Sequence, residues 1–282
     1  MPELPEVETI ARQLDKALTN RTVKKIEVIR ERCFYGDAQS IVGWKVSEVS
    51  RKSKVIEIMF AGNEEMIIVH LKMTGQLIFV DGEEWIVGGH PTADWTKELP
   101  SKHTRVIVNF SDGAKLFFND MRMFGWMKLV SVEKYEKEIK KQVPDVIDKH
   151  FTEDYFAKVL EKSGRAIKQV LMDQEKIGGV GNIYANDALY LSGIMPDKKA
   201  NSLTDKEIKK LYDAVREVIS LGIKYGGASA ANYVDTKGLG GTYQDHFLTY
   251  KKDGEVCKRC GGIIKKMKLG GRGTFYCPGC QR

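Results

Sequence analysis

Four of the five cysteines in this chain stand in two tight pairs close to its end, Cys257-x2-Cys260 and Cys277-x2-Cys280, with sixteen residues between the pairs. Each Cys-x2-Cys turn offers two sulfurs to one tetrahedral ion, and two such turns at this separation fit a four-thiolate zinc ribbon. Two disulfides or a redox pair are the competing readings, and a reducing compartment favours metal over both. So little apolar sequence surrounds the pairs that the module is expected to fold only around its ion. Four thiolates leave no coordination position open to water or substrate, so the expected cofactor is a single structural Zn2+ with no catalytic task. The fifth cysteine, Cys33, reads as a small buried hydrophobe.

The charge of the chain sits in the same place. Between Tyr250 and Arg282 there are nine Lys or Arg and two Asp or Glu, which accounts for the whole net charge of +7; the residues before Tyr250 carry 36 of each sign. Lys265, Lys266, Lys268 and Arg272 lie between the cysteine pairs, beside Gly270-Gly271 and Gly273, where the backbone can approach a ligand closely. A compact basic surface of this kind suits phosphates, and nucleic acid is the natural partner.

With 282 residues, 42% of them hydrophobic, the chain is long enough for two domains. No apolar run reaches membrane-spanning length and the first residues have no leader pattern, so neither membrane insertion nor secretion is expected. Val7, Ile10, Ala11, Leu14 and Leu18 recur at helical spacing, which predicts a helix from about Leu4 to Leu18 with Pro5 in its first turn. From Val23 to about Val132 the pattern is β-rich, with runs at 54–60, 65–80 and 105–118 and turns at Asp81-Gly82 and Asp112-Gly113, as in a sandwich or barrel. Helical patterns follow at 152–162, 167–172, 183–191 and 204–223, then a glycine-rich loop at 226–241 and the cysteine hairpin.

The N-terminus carries an unusual nucleophile. Removal of Met1, which a small second residue permits, leaves Pro2 with a free secondary amine; with Met1 attached the same nitrogen is an inert amide. An α-amino group has a reference pKa near 8 against about 10.4 for lysine, so roughly a tenth of it is unprotonated at neutral pH. The adjoining helix N-terminus should lower that pKa further. Such an amine attacking C1′ of a deoxyribose gives an iminium, which acidifies the C2′ proton and opens the way to elimination of the phosphates. Glu3 is the candidate general acid and base, with Glu6 in support. Taken alone, Pro-Glu-Leu-Pro-Glu reads equally well as an ordinary helix start.

The opening Pro2-Glu3-Leu4-Pro5-Glu6-Val7-Glu8-Thr9 resembles that of the formamidopyrimidine-DNA glycosylases, and matching segments continue to the last cysteine. The resemblance implies a bifunctional DNA glycosylase and AP lyase of base-excision repair. It would excise oxidised purines, 8-oxoguanine and formamidopyrimidines, through a Schiff base on Pro2 and β,δ-elimination, with Glu3 catalytic. Lys54, in Arg51-Lys52-Ser53-Lys54, matches a family lysine that contacts phosphate near the lesion and is placed with the catalytic group. His70-Leu71-Lys72-Met73-Thr74-Gly75 and Asp120-Met121-Arg122-Met123-Phe124-Gly125 resemble two loops that enter the duplex, which gives Met73 and Phe124 as wedges and Arg122 as the partner of the orphaned base. Gly178-Gly179-Val180-Gly181-Asn182-Ile183-Tyr184-Ala185 resembles the helix-two-turn-helix element, with Asn182 at phosphate. Arg272 corresponds to the phosphate-gripping arginine of the zinc hairpin and Lys168 to a lysine near the damaged base. Asp187, Met123 and Tyr250-Lys251-Lys252 depart from the usual Glu, second basic residue and Tyr-Gly-Arg.

The expected fold is therefore α+β. An N-terminal helix and β-sandwich domain (1–132) leads into a helical domain with the helix-two-turn-helix and a loop enclosing the flipped base (133–249), and a four-Cys zinc-ribbon hairpin (250–282) follows. Damaged double-stranded DNA is expected to lie in the cleft between domains, bound by a monomer in the bacterial cytoplasm. Two rivals remain: an endonuclease VIII-like enzyme for oxidised pyrimidines, against which Leu4 and the Met73, Arg122, Phe124 set argue, and a non-catalytic zinc protein that binds damaged DNA.

Overall fold

The computed structural model of the chain describes residues 2–90, 98–139, 143–228 and 241–282. Met1, and most of the loop expected to enclose a flipped base, lie outside the described residues. Contacts divide the chain into two compact units, Met1–Lys141 with Tyr225–Gln244, and Gln142–Lys224 with Asp245–Arg282. Helix 132–139 and the segment 225–244 thus join the first unit, where the sequence pattern had suggested boundaries at 132/133 and 249/250.

The first unit opens on helix α1 (Leu4–Leu18), whose Val7, Ile10, Leu14 and Leu18 are all buried, as the 3–4 spacing requires. Ten strands follow: β1 (Val23–Val28), β2 (Phe34–Tyr35), β3 (Val46–Lys52), β4 (Val55–Phe60), β5 (Glu65–His70), β6 (Gly75–Asp81), β7 (Glu84–Gly89), β8 (Thr104–Phe110), β9 (Lys115–Asp120) and β10 (Trp126–Ser131), then helix α2 (Val132–Ile139). They form two five-stranded sheets, in the orders β1-β8-β9-β6-β7 and β2-β10-β5-β4-β3. The pairing is antiparallel except for β2 with β10. One core serves both sheets and α1: Phe79, Val108 and Phe118 of the first meet Ile56, Ile58 and Val69 of the second, with Leu14 and Leu18. Alternate residues of β4, Ile56, Ile58 and Phe60, face inward, the period-2 signature of a strand with one buried face. Cys33 is fully buried in the same core. The run expected over 65–80 is two strands, because residues 71–75 turn tightly, with Gly75 N–H donating to Leu71 O at 2.8 Å.

The second unit is helical: α3 (Glu153–Glu161), α4 (Ile167–Leu171), α5 (Asn182–Ser192) and α6 (Asp205–Lys224), within a residue or two of the sequence expectation. Helix α5 is buried from Tyr184 to Tyr190 on every side, which hides any helical periodicity. It packs so closely on α6 that a Cβ on Gly222 would lie 2.5 Å from the Tyr184 ring. The unit ends in a two-stranded hairpin, β11 (Lys265–Leu269) and β12 (Arg272–Tyr276), in which Leu269 pairs with Arg272 across a Gly270-Gly271 turn. Both glycines have positive φ, as the two-residue turn that matches strand twist demands. Among the described residues, no helix is long and apolar enough to cross a membrane.

Candidate active site and nucleic-acid interface

The residues expected to carry the chemistry, Pro2 and Glu3, stand at the start of α1. Glu3 is the N-cap residue and Pro2 precedes it; both are buried. Glu6, at the third helical position, reaches back so that its Oε2 accepts the Glu3 N–H at 2.7 Å. Its other oxygen, Oε1, accepts the N–H of Ala228 at 2.7 Å. Pro5 is the second helical residue, where its missing N–H costs nothing.

Lys54 lies in the two-residue turn between β3 and β4, after Ser53 with φ +53°, and is only 6% exposed. Arg51, one turn earlier, donates from Nε to Glu8 Oε2 at 2.5 Å and from Nη1 to Ser53 O at 3.4 Å, tying the turn to α1. Burial works against ionising Glu8, but Arg51 and Arg12 hold its carboxyl below the usual range. A further side chain, not singled out by the sequence, belongs here. His70 Nδ1 accepts the Lys72 N–H at 3.0 Å, so the neutral ring carries its proton on Nε2. Burial, together with the charges of Lys72 and Lys54, pushes its pKa down to about 3.

Met73, Arg122 and Phe124, expected at the duplex, come together in one exposed cluster. Met73 and Phe124 are 41% and 49% exposed, unusual for residues of their size and polarity. The Arg122 guanidinium stacks on the Phe124 ring at 4.6 Å and its Nη1 lies 3.6 Å from Met73 Sδ. Met73 and Phe124 each follow a residue in the left-handed region, Lys72 with φ +49° and Met123 with φ +55°. Such conformations cost a non-glycine residue on the order of 1 kcal/mol, and the surroundings must supply it. They do so through Asp120, which is fully buried. Its Oδ1 accepts the Arg122 N–H at 3.1 Å and the Thr74 hydroxyl, its Oδ2 accepts the Gly125 N–H at 2.6 Å, and its carbonyl accepts Arg105 Nε at 2.8 Å. One carboxylate therefore fixes both the loop that carries Met73 and the loop that carries Phe124. Met123, in place of a basic residue, packs against the sandwich core.

In the second unit, the structure brings Lys168, Asn182 and Arg272 to a single backbone position. Asn182 is the first residue of α5, and its Nδ2 donates to Gly273 O at 3.3 Å. Lys168 of α4 is 1% exposed, with Nζ donating to the same carbonyl at 3.0 Å and to Thr274 Oγ1 at 2.7 Å. Lys168, expected near a damaged base, is held here by the hairpin, next to the exposed Arg272. The turns before α5 are set by Gln174, which accepts the Gly179 N–H at 3.1 Å and donates to Val180 O at 2.7 Å. Asp187 takes the N–H groups of Thr249 and Tyr250 at 2.9 and 3.2 Å, so the shorter acid still anchors the turn that leads to the cysteines.

The four expected ligands, Cys257, Cys260, Cys277 and Cys280, have sulfurs that all lie within 4.8 Å of one another. Cys257 and Cys280 are 3.7 Å apart and Cys260 and Cys277 3.4 Å. A tetrahedral zinc at about 2.3 Å from each sulfur needs neighbours at roughly 3.8 Å, so the residues fit one structural Zn2+. Gln281 braces the second turn, accepting from Cys277 N–H and donating to Ile194 O, both at 2.8 Å.

Two expectations follow. The folded His70 stays unprotonated down to about pH 3, whereas an unfolded histidine takes up a proton near 6.5, so stability should fall as pH drops through that window. His70→Gln should flatten the fall in melting temperature between pH 7 and pH 4.5; an unchanged fall would count against it. Asp120→Asn puts a donor against one of the N–H groups that the carboxylate accepts, which should cost about 1.5–3 kcal/mol. A lower melting temperature and weaker binding to nicked or lesion-bearing duplex, with zinc content unchanged, would bear this out, and wild-type affinity would refute it.

Comparison with known proteins agrees with this geometry along the whole chain. The profile of the formamidopyrimidine-DNA glycosylase N-terminal domain matches residues 1–127, that of its H2TH domain residues 143–233, and that of a zinc finger found in FPG and IleRS residues 254–282. The formamidopyrimidine-DNA glycosylases of Pelotomaculum thermopropionicum and Desulforamulus reducens are 35% and 36% identical, with 100% of this chain and 99% of each relative covered. Among solved structures, Lactococcus lactis Fpg in complex with DNA containing an abasic site superposes with a TM-score of 0.86 at 32% identity over 100% of both chains. A variant of the same protein bound to DNA containing Fapy-dG gives 0.87 at 32% identity, again over 100% of both. The chain belongs to the formamidopyrimidine-DNA glycosylase family.

Proposed function

We propose that this protein is a bifunctional DNA glycosylase and AP lyase that removes oxidised purines, 8-oxoguanine and formamidopyrimidines, during base-excision repair in the bacterial cytoplasm. The observation that carries the reading is the start of α1, where Pro2 directly precedes the N-cap and Glu6 pins the backbone of Glu3. Once Met1 is removed, the Pro2 nitrogen sits near the positive end of a helix dipole and in a buried setting, both of which favour the neutral, nucleophilic amine.

In the proposed reaction the Pro2 nitrogen bonds to C1′ as the glycosidic bond breaks, and the base leaves with that electron pair and a proton. Opening of the sugar ring gives an iminium. Glu3 acts first as acid and then as base, taking the acidified C2′ proton so that the 3′ phosphate is expelled; a second elimination releases the 5′ phosphate. Lys54 offers a nearly buried ammonium to phosphate beside the lesion. Met73 and Phe124 fill the gap left by the extruded nucleotide, Arg122 engages its partner base, and Asn182 and Arg272 hold the distorted backbone. The zinc ion keeps the hairpin folded and takes no chemical step.

Oxidised pyrimidines form the second reading, since a Lactococcus lactis neighbour is described in complex with DNA containing one. Borohydride reduction should trap a covalent complex with a duplex carrying 8-oxoguanine opposite cytosine, faster than with thymine glycol. Protein that retains Met1 should trap nothing, and Pro2→Gly, which offers a more mobile primary amine, should trap far more slowly than wild type. Trapping of Pro2→Gly at the wild-type rate would contradict the assignment, faster trapping on thymine glycol would favour the second reading, and binding without trapping would leave a non-catalytic damage binder.

A further inference from the structure

Tyr190 lies in the last turn of α5, almost completely buried, with its hydroxyl oxygen 3.2 Å from Cys257 Sγ. Phenylalanine would fill the same space, so the hydroxyl is the feature that asks for a reason. A cysteine bound to zinc is a thiolate and can only accept, which makes the phenol the donor. Four thiolates on one divalent ion carry a net charge of −2, and each hydrogen bond to sulfur drains part of it. The contact is dry: Cys257, Cys277 and Ile264 are buried around it, so the bond is stronger than it would be in water.

Arg259, between the first two cysteines, completes the arrangement. Its guanidinium covers the Tyr190 ring at 4.6 Å, and its Nη1 and Nη2 donate to Tyr190 O at 3.1 Å and Leu191 O at 3.5 Å, at the carbonyl end of α5 where a cation is favoured. A cation over the ring draws electron density from the phenol and strengthens its O–H as a donor.

We propose that Tyr190 is a positioning residue of the zinc site, donating to the Cys257 thiolate under the stacked Arg259 and thereby slowing loss of the ion. The proposal rests on the four-cysteine site and is independent of the glycosylase reading. Tyr190→Phe in the full-length zinc protein keeps the ring and the stack and removes only the hydroxyl. Zinc transfer to an excess of chromophoric chelator should then be about tenfold faster, the lower end of what outer-shell partners contribute to metal affinity. In cobalt-substituted protein the thiolate-to-metal charge-transfer bands should move to lower energy, because an unbonded sulfur gives up its electrons more easily; filling space alone does not move them. Arg259→Gln should change both quantities in the same direction by less. Unshifted bands in Tyr190→Phe, whatever the release rate, would overturn the proposal, as would wild-type zinc release with either band position.

Discussion

Glu6 has both carboxylate oxygens in use: one holds the Glu3 N–H at the head of α1, the other the Ala228 N–H far along the chain. A buried carboxylate is tolerable only when its oxygens find donors, and here the donors are two backbone groups whose placement matters to the chemistry. The first sets the direction in which Pro2 and Glu3 leave the helix. The second fixes the point at which the chain departs into 229–240. Arg51 adds a second tie from α1, through Glu8 and Ser53 O, to the turn that presents Lys54. The first residues of a chain would ordinarily fray; these contacts hold Glu3 and the turn of Lys54 in place, as the proposed chemistry on Pro2 requires.

The second unit applies the same logic to the residues proposed to hold phosphate. Asn182 and Arg272 come from segments ninety residues apart in sequence, and the carbonyl of Gly273 gathers them by accepting from Asn182 and from the buried Lys168. Helix α5 then carries the hairpin along its length, with Asn186 on Phe275 N–H, Asp187 on the Thr249 and Tyr250 N–H groups and Tyr190 on Cys257. So small a hairpin gains little from its own core. Its orientation comes from the helix, and its internal order from the ion.

Much of this was legible in the residues. The four cysteines announce their ion by spacing, α1 announces itself by Val7, Ile10, Leu14 and Leu18, and the motifs that carry Met73, Arg122 and Phe124 lie at the surface. What stayed hidden depends on long-range neighbours. Lys168 looks like any ligand-facing lysine until Gly273 and Thr274, a hundred residues on, are seen to take its ammonium. Asp120 reads as a turn residue until Thr74 meets it across the sheet. Tyr190 is one more large residue in a helix that is buried all round. The tie between Ala228 and Glu6 was equally out of reach, since it joins residues far apart in the sequence.

The central claim is that a secondary amine at residue 2, released by loss of Met1, is the atom that bonds to the sugar. Peptide mapping by mass spectrometry of the borohydride-reduced protein–DNA adduct, after nuclease and protease digestion, locates that bond. The account predicts the sugar remnant on the peptide that begins at Pro2. A remnant on the Lys54 peptide, or on any peptide that still carries Met1, would contradict it.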